Sequence, residues 1–457
     1  MEKEKLKELI IGHKEKFLSR GGPQYHLPEL PRRNGLRIPQ GRRGRLVRRE
    51  IQDEIANYIP QREILIITGV RRSGKSSLMK LVCDDLLNSK DVLENSILYL
   101  NFEDERFIPF TFQDFEPLYE TFVELENPQG RIYLFLDEIQ NISGWEKWLN
   151  RLYEFENVKI FVTGSNASLL SSEISTALTG RNRQIVTWPF SLREFLAMKG
   201  VLIDAKSLYK RQKKVEIRRL FREYLEQGGF PEVLKIGDTT LLEQYYKDII
   251  YRDVITRYGI KNIKGIKELT LFLAANPGTI QSYKNMQNII GVGSQNTVKN
   301  YLEALNDVYL FFPVDLFDYS LKRQIYNPSK IYCIDVALSN SISFKFSRNM
   351  GHIYENIVFL ELLRRNKELY YWKSKKGKEV DFIIKEGLHI TEAIQVCFSL
   401  EDERTRQREI QALKEIKDEL RVERLMVITD DEESTVPIEL PRGQDEINII
   451  PLWKWLL

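Results

Sequence analysis

Cysteine is nearly absent. The three residues Cys83, Cys333 and Cys397 stand far apart in 457 positions, matching neither a disulfide framework nor the paired spacing of a zinc site, so a reduced, cytoplasmic setting is expected. Charge of one sign is lacking too: 68 basic against 65 acidic residues leave a net charge of only +3, so any phosphate-seeking surface must be local. Long apolar runs are missing. None approaches the roughly 20 residues that a membrane helix requires, and the opening MEKEKLKELIIGHKEKFL reads as a charged amphipathic helix rather than a secretory leader. No membrane partner is expected.

What is present organises the chain into several parts, since its length suits about three units of roughly 150 residues. Residues 1–50 hold the first helix and a Pro/Gly-rich arm with eight arginines and no acid between Arg32 and Arg49. Arg42, Arg43 and Arg45 in this arm would attract a nucleic-acid backbone, the alternative being a solvated arm lying on an acidic face of the same protein. Residues 51–200 alternate strands with helices. EILIITGV, SILYLNF, RIYLFLDEI and VKIFVTGS are nearly unbroken apolar runs, the mark of a parallel sheet covered on both faces, so a doubly wound α/β core is expected.

Residues 201–262 read as a helical lid broken at GGFPEVL, where a glycine pair and Pro231 force a turn. Residues 263–345 give three short helices separated by NPGT and GVGS and then an extended run, the outline of a winged helix. On its third helix Gln295, Asn296, Lys299 and Asn300 share one side, where amides and a lysine suit bases or phosphates; a merely solvated face is the alternative. Residues 346–457 form a second α/β unit.

Gly69-Val70-Arg71-Arg72-Ser73-Gly74-Lys75-Ser76 fits G-x-x-x-x-G-K-[ST] directly between a strand and a helix, the context that makes this pattern a phosphate cradle. Backbone N–H groups from Gly69 to Ser77 would line the triphosphate of ATP, Lys75 would meet its β and γ phosphates, and the Ser76 hydroxyl would ligate Mg²⁺. The strand ending in Asp137-Glu138 supplies the opposing acids: Asp137 for Mg²⁺, Glu138 to polarise the attacking water. After the strand Lys159–Thr163, Ser165 and Asn166 are candidate γ-phosphate sensors. Arg181 or Arg183 is a candidate arginine finger reaching a neighbouring copy's nucleotide, which implies a homo-oligomer.

With TGVRRSGKSS, LFLDEIQ, FVTGSNASLL, GGFPEV, YRDVITRY and GHIYENIVFLELLRR followed by EVDFIIK, the chain resembles archaeal and bacterial AAA+ ATPases that carry a C-terminal domain of the PD-(D/E)XK nuclease type. The resemblance implies an ATP-hydrolysing α/β protein with a winged-helix segment, contact with DNA or a protein client, and a restriction-endonuclease-like fold at the C-terminus. It places Glu355, Asp381 and Gln395 at that fold's metal positions, with Glu379 two residues before Asp381. The lysine position of that pattern is Cys397, without fixed positive charge and a soft ligand poorly matched to Mg²⁺. Nuclease activity is therefore not expected, unless Lys373, Lys375, Lys376 or Lys378 replaces the missing cation. ATP-gated nuclease and slow-turnover DNA-binding regulator remain the alternatives to an ATP-driven machine.

Overall fold

A computed structural model describes residues 1–18, 46–89, 92–164, 178, 180–204, 207–343, 349–440 and 443–457. The chain divides into two compact units, one of residues 1–69 and 74–187, the other of residues 70–73 and 188–457.

In the first unit five parallel strands, β1 (Ile64–Thr68), β2 (Ile97–Asn101), β3 (Ile132–Asp137), β4 (Val158–Thr163) and β5 (Asn182–Val186), lie in the order β2-β3-β4-β1-β5. The apolar runs are buried because both faces are covered: Leu98, Leu134 and Ile160 point into one core, Leu65, Phe135 and Phe161 into the other. Phe135 and Phe161 stack at 4.6 Å. The helix Lys3–Leu18 packs on this unit through Leu6, Leu9 and Ile10, and its Phe17 stacks on Tyr99 of β2 at 3.8 Å. A basic side chain is buried in the sheet. Lys159 of β4 donates to the carbonyls of Tyr58, Gln61 and Glu63 at 2.7, 3.2 and 2.6 Å, tying down the loop that leads into β1.

The second unit begins with helices Leu192–Met198, Arg211–Gln227, Pro231–Ile236 and Leu241–Asp248, the last running into a wide π-turn segment, Ile249–Thr256. Then come helix Ile263–Ala275, β6 (Ile280–Gln281), helices Tyr283–Ile290 and Gln295–Asp307, β7 (Phe311–Val314) and β8 (Ser329–Cys333). These strands make an antiparallel sheet in the order β6-β8-β7. Helix Met350–Arg364 leads to β9 (Glu368–Lys373), β10 (Glu379–Glu386), β11 (His389–Val396), helix Glu403–Leu420, β12 (Arg424–Thr429), β13 (Ser434–Leu440) and β14 (Gly443–Pro451). Their sheet runs β13-β14-β12-β11-β10-β9; β11, β12 and β14 are parallel and the outer pairs antiparallel. The protein is of the α/β class.

Candidate functional site

Parallel pairing brings the C-terminal ends of β1, β3 and β4 to one sheet edge, where ligands of open α/β sheets bind. The chain leaves β1 through Gly69 at φ 138° and enters the helix Lys75–Ser89 through Gly74 at φ 98°. Both values are open only to glycine without strain, and they aim the turn back over the helix N-terminus. Lys75 is buried, its ammonium donating to the Gly69 carbonyl at 3.1 Å, while Ser76 and Ser77 are exposed at the first helical turn. This donor set, backbone amides plus an ammonium and hydroxyls at a positive helix end, suits a triphosphate with its metal. Arg71, in the second unit, makes a bidentate pair with Asp253 of the π-turn segment at 2.9 and 3.0 Å.

Asp137 is 1% exposed. Its Oδ2 accepts from the Tyr99 hydroxyl at 3.0 Å and its Oδ1 from the Thr163 hydroxyl. Thr163 also accepts the Glu138 N–H at 2.9 Å. Glu138 itself adopts a left-handed conformation, φ 52°, and its carboxylate accepts from Gln140. One hydroxyl from β4 thus holds the Asp137 carboxylate and the Glu138 backbone. Burial, then the nearby Asp137 charge, pushes the Tyr99 phenol well up, keeping it a donor. Neither Tyr99 nor Thr163 stood out in the sequence, because each sits inside an apolar run as an ordinary strand residue.

Arg181 precedes β5, and its carbonyl accepts from Ile64 N–H at the start of β1, the end opposite the glycine turn. Its guanidinium pairs with Glu154 and Asn150 and lies 5.4 Å over the Tyr153 ring; that of Arg183 lies 5.9 Å over Tyr58. Neither is brought to its own chain's glycine turn. Ser165, Asn166, Arg42, Arg43 and Arg45 lie outside the described residues. Lys299 is exposed on its helix beside Gln295, Asn296 and Asn300, within 3.9 Å of Glu303.

At the C-terminal cluster the structure does bring Glu355 and Asp381 together, around a cation that the sequence reading did not anticipate. Lys330 of β8 reaches Glu355 Oε1 at 2.8 Å, Glu379 Oε1 at 2.7 Å and Asp381 Oδ1 at 2.7 Å. Tyr332 donates to the same Glu355 oxygen at 2.6 Å. Gln395 accepts the Asp381 N–H at 3.2 Å, and Val396 N–H donates to Asp381 Oδ2 at 2.9 Å. Of the lysines that could replace the missing cation, Lys378 pairs with Glu415 at 2.6 Å and Lys373 of β9 stands opposite Glu379. Cys397 packs against the core under helix Glu403–Leu420 and donates to the Ser399 carbonyl. Burial and the Glu355 charge push Asp381 up to about 7. Burial is the largest influence on Glu355 and opposes its ionisation, yet the Lys330 charge together with the hydrogen bonds the carboxylate accepts holds it below its ordinary value. Among the described residues no group of three or more His, Cys, Asp and Glu is suited to hold a metal ion.

A glycine-lined turn at the edge of a five-stranded parallel sheet, with an acidic strand end beside it, is the arrangement of a P-loop nucleotide-binding protein, and the family match narrows it to the ATP-binding AAA+ class. A family profile described as "AAA domain" matches residues 61–196, and two described as "Domain of unknown function", DUF8612 and DUF4143, match 218–349 and 350–455. The chain is 36% identical over 430 residues to "Uncharacterized protein MJ1544" of Methanocaldococcus jannaschii, covering 91% of this chain and 92% of that one. To an uncharacterized protein of Haemophilus influenzae it is 34% identical over 346 residues, 74% of this chain and 83% of that one. It belongs to the AAA-domain protein family that includes MJ1544. Among solved structures it is similar to the Aeropyrum pernix ORC1 protein in complex with DNA, at 15% identity and a TM-score of 0.29, covering 67% of this chain and 94% of that one. That score carries no functional argument. Among the described residues no helix is long and apolar enough to cross a membrane.

Proposed function

We propose that the chain is a Mg²⁺-dependent ATPase whose second unit contacts nucleic acid. The observation that carries the reading is the Thr163 hydroxyl, which holds Asp137 and the Glu138 backbone at the edge where the Gly69–Ser77 turn ends. In this reading Lys75 and the turn amides bind the phosphates, Ser76 and Asp137 hold the metal, and Glu138 orients and polarises the attacking water. Bound Mg²⁺ would supply charge neutralisation on the β and γ phosphates. Arg181 serves a neighbouring copy in a homo-oligomer, since its own glycine turn is at the other end of β1.

The nucleic-acid part rests on the segment 263–345. Its elements run helix, strand, helix, helix, strand, short helix Leu321–Tyr326, strand and helix Val336–Ile342; apart from the two added helices, this order and the sheet order β6-β8-β7 follow the winged-helix outline. Its third helix exposes Gln295, Asn296, Lys299 and Asn300 while burying Val298, Leu302 and Leu305, the disposition of a helix that enters a groove. Residues 346–457 form a nuclease-like scaffold retained for binding, with residues 51–200 as ATPase core and 201–262 as lid.

Purified full-length protein tests this. ATP should be hydrolysed with Mg²⁺; Lys75→Ala should lose nucleotide binding, and Glu138→Gln should keep it while turnover falls at least about 10²-fold, the usual worth of a positioned base. Equal turnover in all three would overturn the ATPase reading. Duplex DNA added to the same assay should raise the rate; no binding of DNA at low salt would turn the reading toward a protein client.

A further inference from the structure

The resemblance to metal-dependent nucleases implies a divalent ion among Glu355, Asp381 and Gln395, and the residues present do not fit one. An ammonium has three N–H donors. Those of Lys330 are matched by three carboxylate oxygens, one each from Glu355, Glu379 and Asp381, at 2.7–2.8 Å. Lys330 is 1% exposed, so this cation has no water to fall back on and depends on its acids, as they depend on it. Mg²⁺ would need such oxygens at about 2.0–2.1 Å with its remaining positions filled by further oxygens or water. Three further acceptances are already made within the cluster: Asp381 Oδ2 accepts from Val396 N–H, Gln395 Oε1 accepts from Asp381 N–H, and Glu355 Oε1 also accepts from Tyr332. The pocket is closed on a further side by Gly278, where even a Cβ would stand 2.9 Å from the Glu355 carboxylate.

We propose that Lys330 takes the place of the divalent ion in this carboxylate pocket, so that the C-terminal site holds an internal cation instead of a metal. The consequence is structural and functional together. β8 is fastened by charge to helix Met350–Arg364 and to β10, and the oxygens that would activate a water for phosphodiester cleavage are taken by an amine that cannot exchange. The inference stands on this cluster alone; Lys75→Ala and Glu138→Gln test the ATPase reading separately.

The experiment uses full-length protein without nucleotide, titrated with Mn²⁺ and followed by electron paramagnetic resonance, which counts bound ions. Wild type should show no site that Asp381→Asn abolishes. Lys330→Met leaves three facing carboxylates without their cation, and it should gain one Mn²⁺ site at least about tenfold tighter than any in wild type. That site should disappear in Lys330→Met/Asp381→Asn, and Mn²⁺ should raise the melting temperature of Lys330→Met but not of wild type. A wild-type Mn²⁺ site lost in Asp381→Asn would overturn the proposal, and this arm holds even where Lys330→Met fails to fold. A folded Lys330→Met that gains no ion would overturn it equally.

Discussion

Replacing Thr163 by valine should loosen both acids of the nucleotide site without touching the glycine turn. The side chain is buried, at 2% exposure, with Asp137 at 1%, so water does not replace what is lost. Valine keeps the branched shape but removes a hydroxyl that donates to Asp137 Oδ1 and accepts from Glu138 N–H. Loss of a hydrogen bond to a charged group costs about 1.5–3 kcal/mol, and a stranded N–H about 1–3 kcal/mol. The two losses share one atom and the Tyr99 bond at 3.0 Å survives, so the sum is about 2–4 kcal/mol. In a unit of this size each kcal/mol moves the melting temperature by about 2–4 °C, giving a shift of about 5–15 °C in the first unit's calorimetric transition. ATP affinity, set by the turn, should stay near wild type. Turnover should fall about 10- to 100-fold, the cost of a small misplacement of reacting groups. Thr163→Ser restores the hydroxyl and should restore both quantities. A valine variant that melts and turns over like wild type would refute the argument that this hydroxyl positions the two acids.

Two further outcomes follow from other contacts. His13 accepts the Asn101 N–H on Nδ1 at 3.2 Å and lies 3.0 Å from Asp104 through Nε2, and burial pulls it below its ordinary value of 6.5 despite that carboxylate. Its folded form resists a proton that the unfolded chain accepts, so stability of the first unit should fall as pH drops through about 6.5; His13→Asn, which keeps an acceptor at the Nδ1 position, should flatten that slope in pH-dependent denaturant melts. Gly228, at φ 75°, faces Asp335, whose carboxylate accepts the Gly229 N–H at 2.7 Å. A Cβ there would stand 2.3 Å from Asp335, so Gly228→Ala should destabilise the second unit by about 3 kcal/mol or more, seen as a lowered urea midpoint.

The glycine turn was legible because its signature is local: eight consecutive residues with one strand before and one helix after. Asp137 and Glu138 were legible for a similar reason, as two acids where an apolar strand stops. The face of helix Gln295–Asp307 followed from its 3.6-residue period, and the observed burial of Val298, Leu302 and Leu305 agrees with that period. Strands β13 and β14 were not anticipated, since Ile438 alone is buried in β13 and the buried Ile447 and Ile449 of β14 are separated by Asn448, so neither has the unbroken apolar run of the other strands. β5 escaped as a run of its own because Ile185 alone in it is buried.

Periodicity and contiguous motif together determined the class of the fold and the place of the glycine turn. Which groups hold the acids was decided only by tertiary packing. Tyr99 stands 38 residues before Asp137, and Lys330 stands 25 residues before Glu355 and 51 before Asp381. The worth of such contacts depends on removal from water and on separations below 3 Å or so, because charge attraction weakens steeply with both distance and solvent. A lysine within the strand SKIYC looks like any strand lysine until the fold surrounds it with three carboxylates.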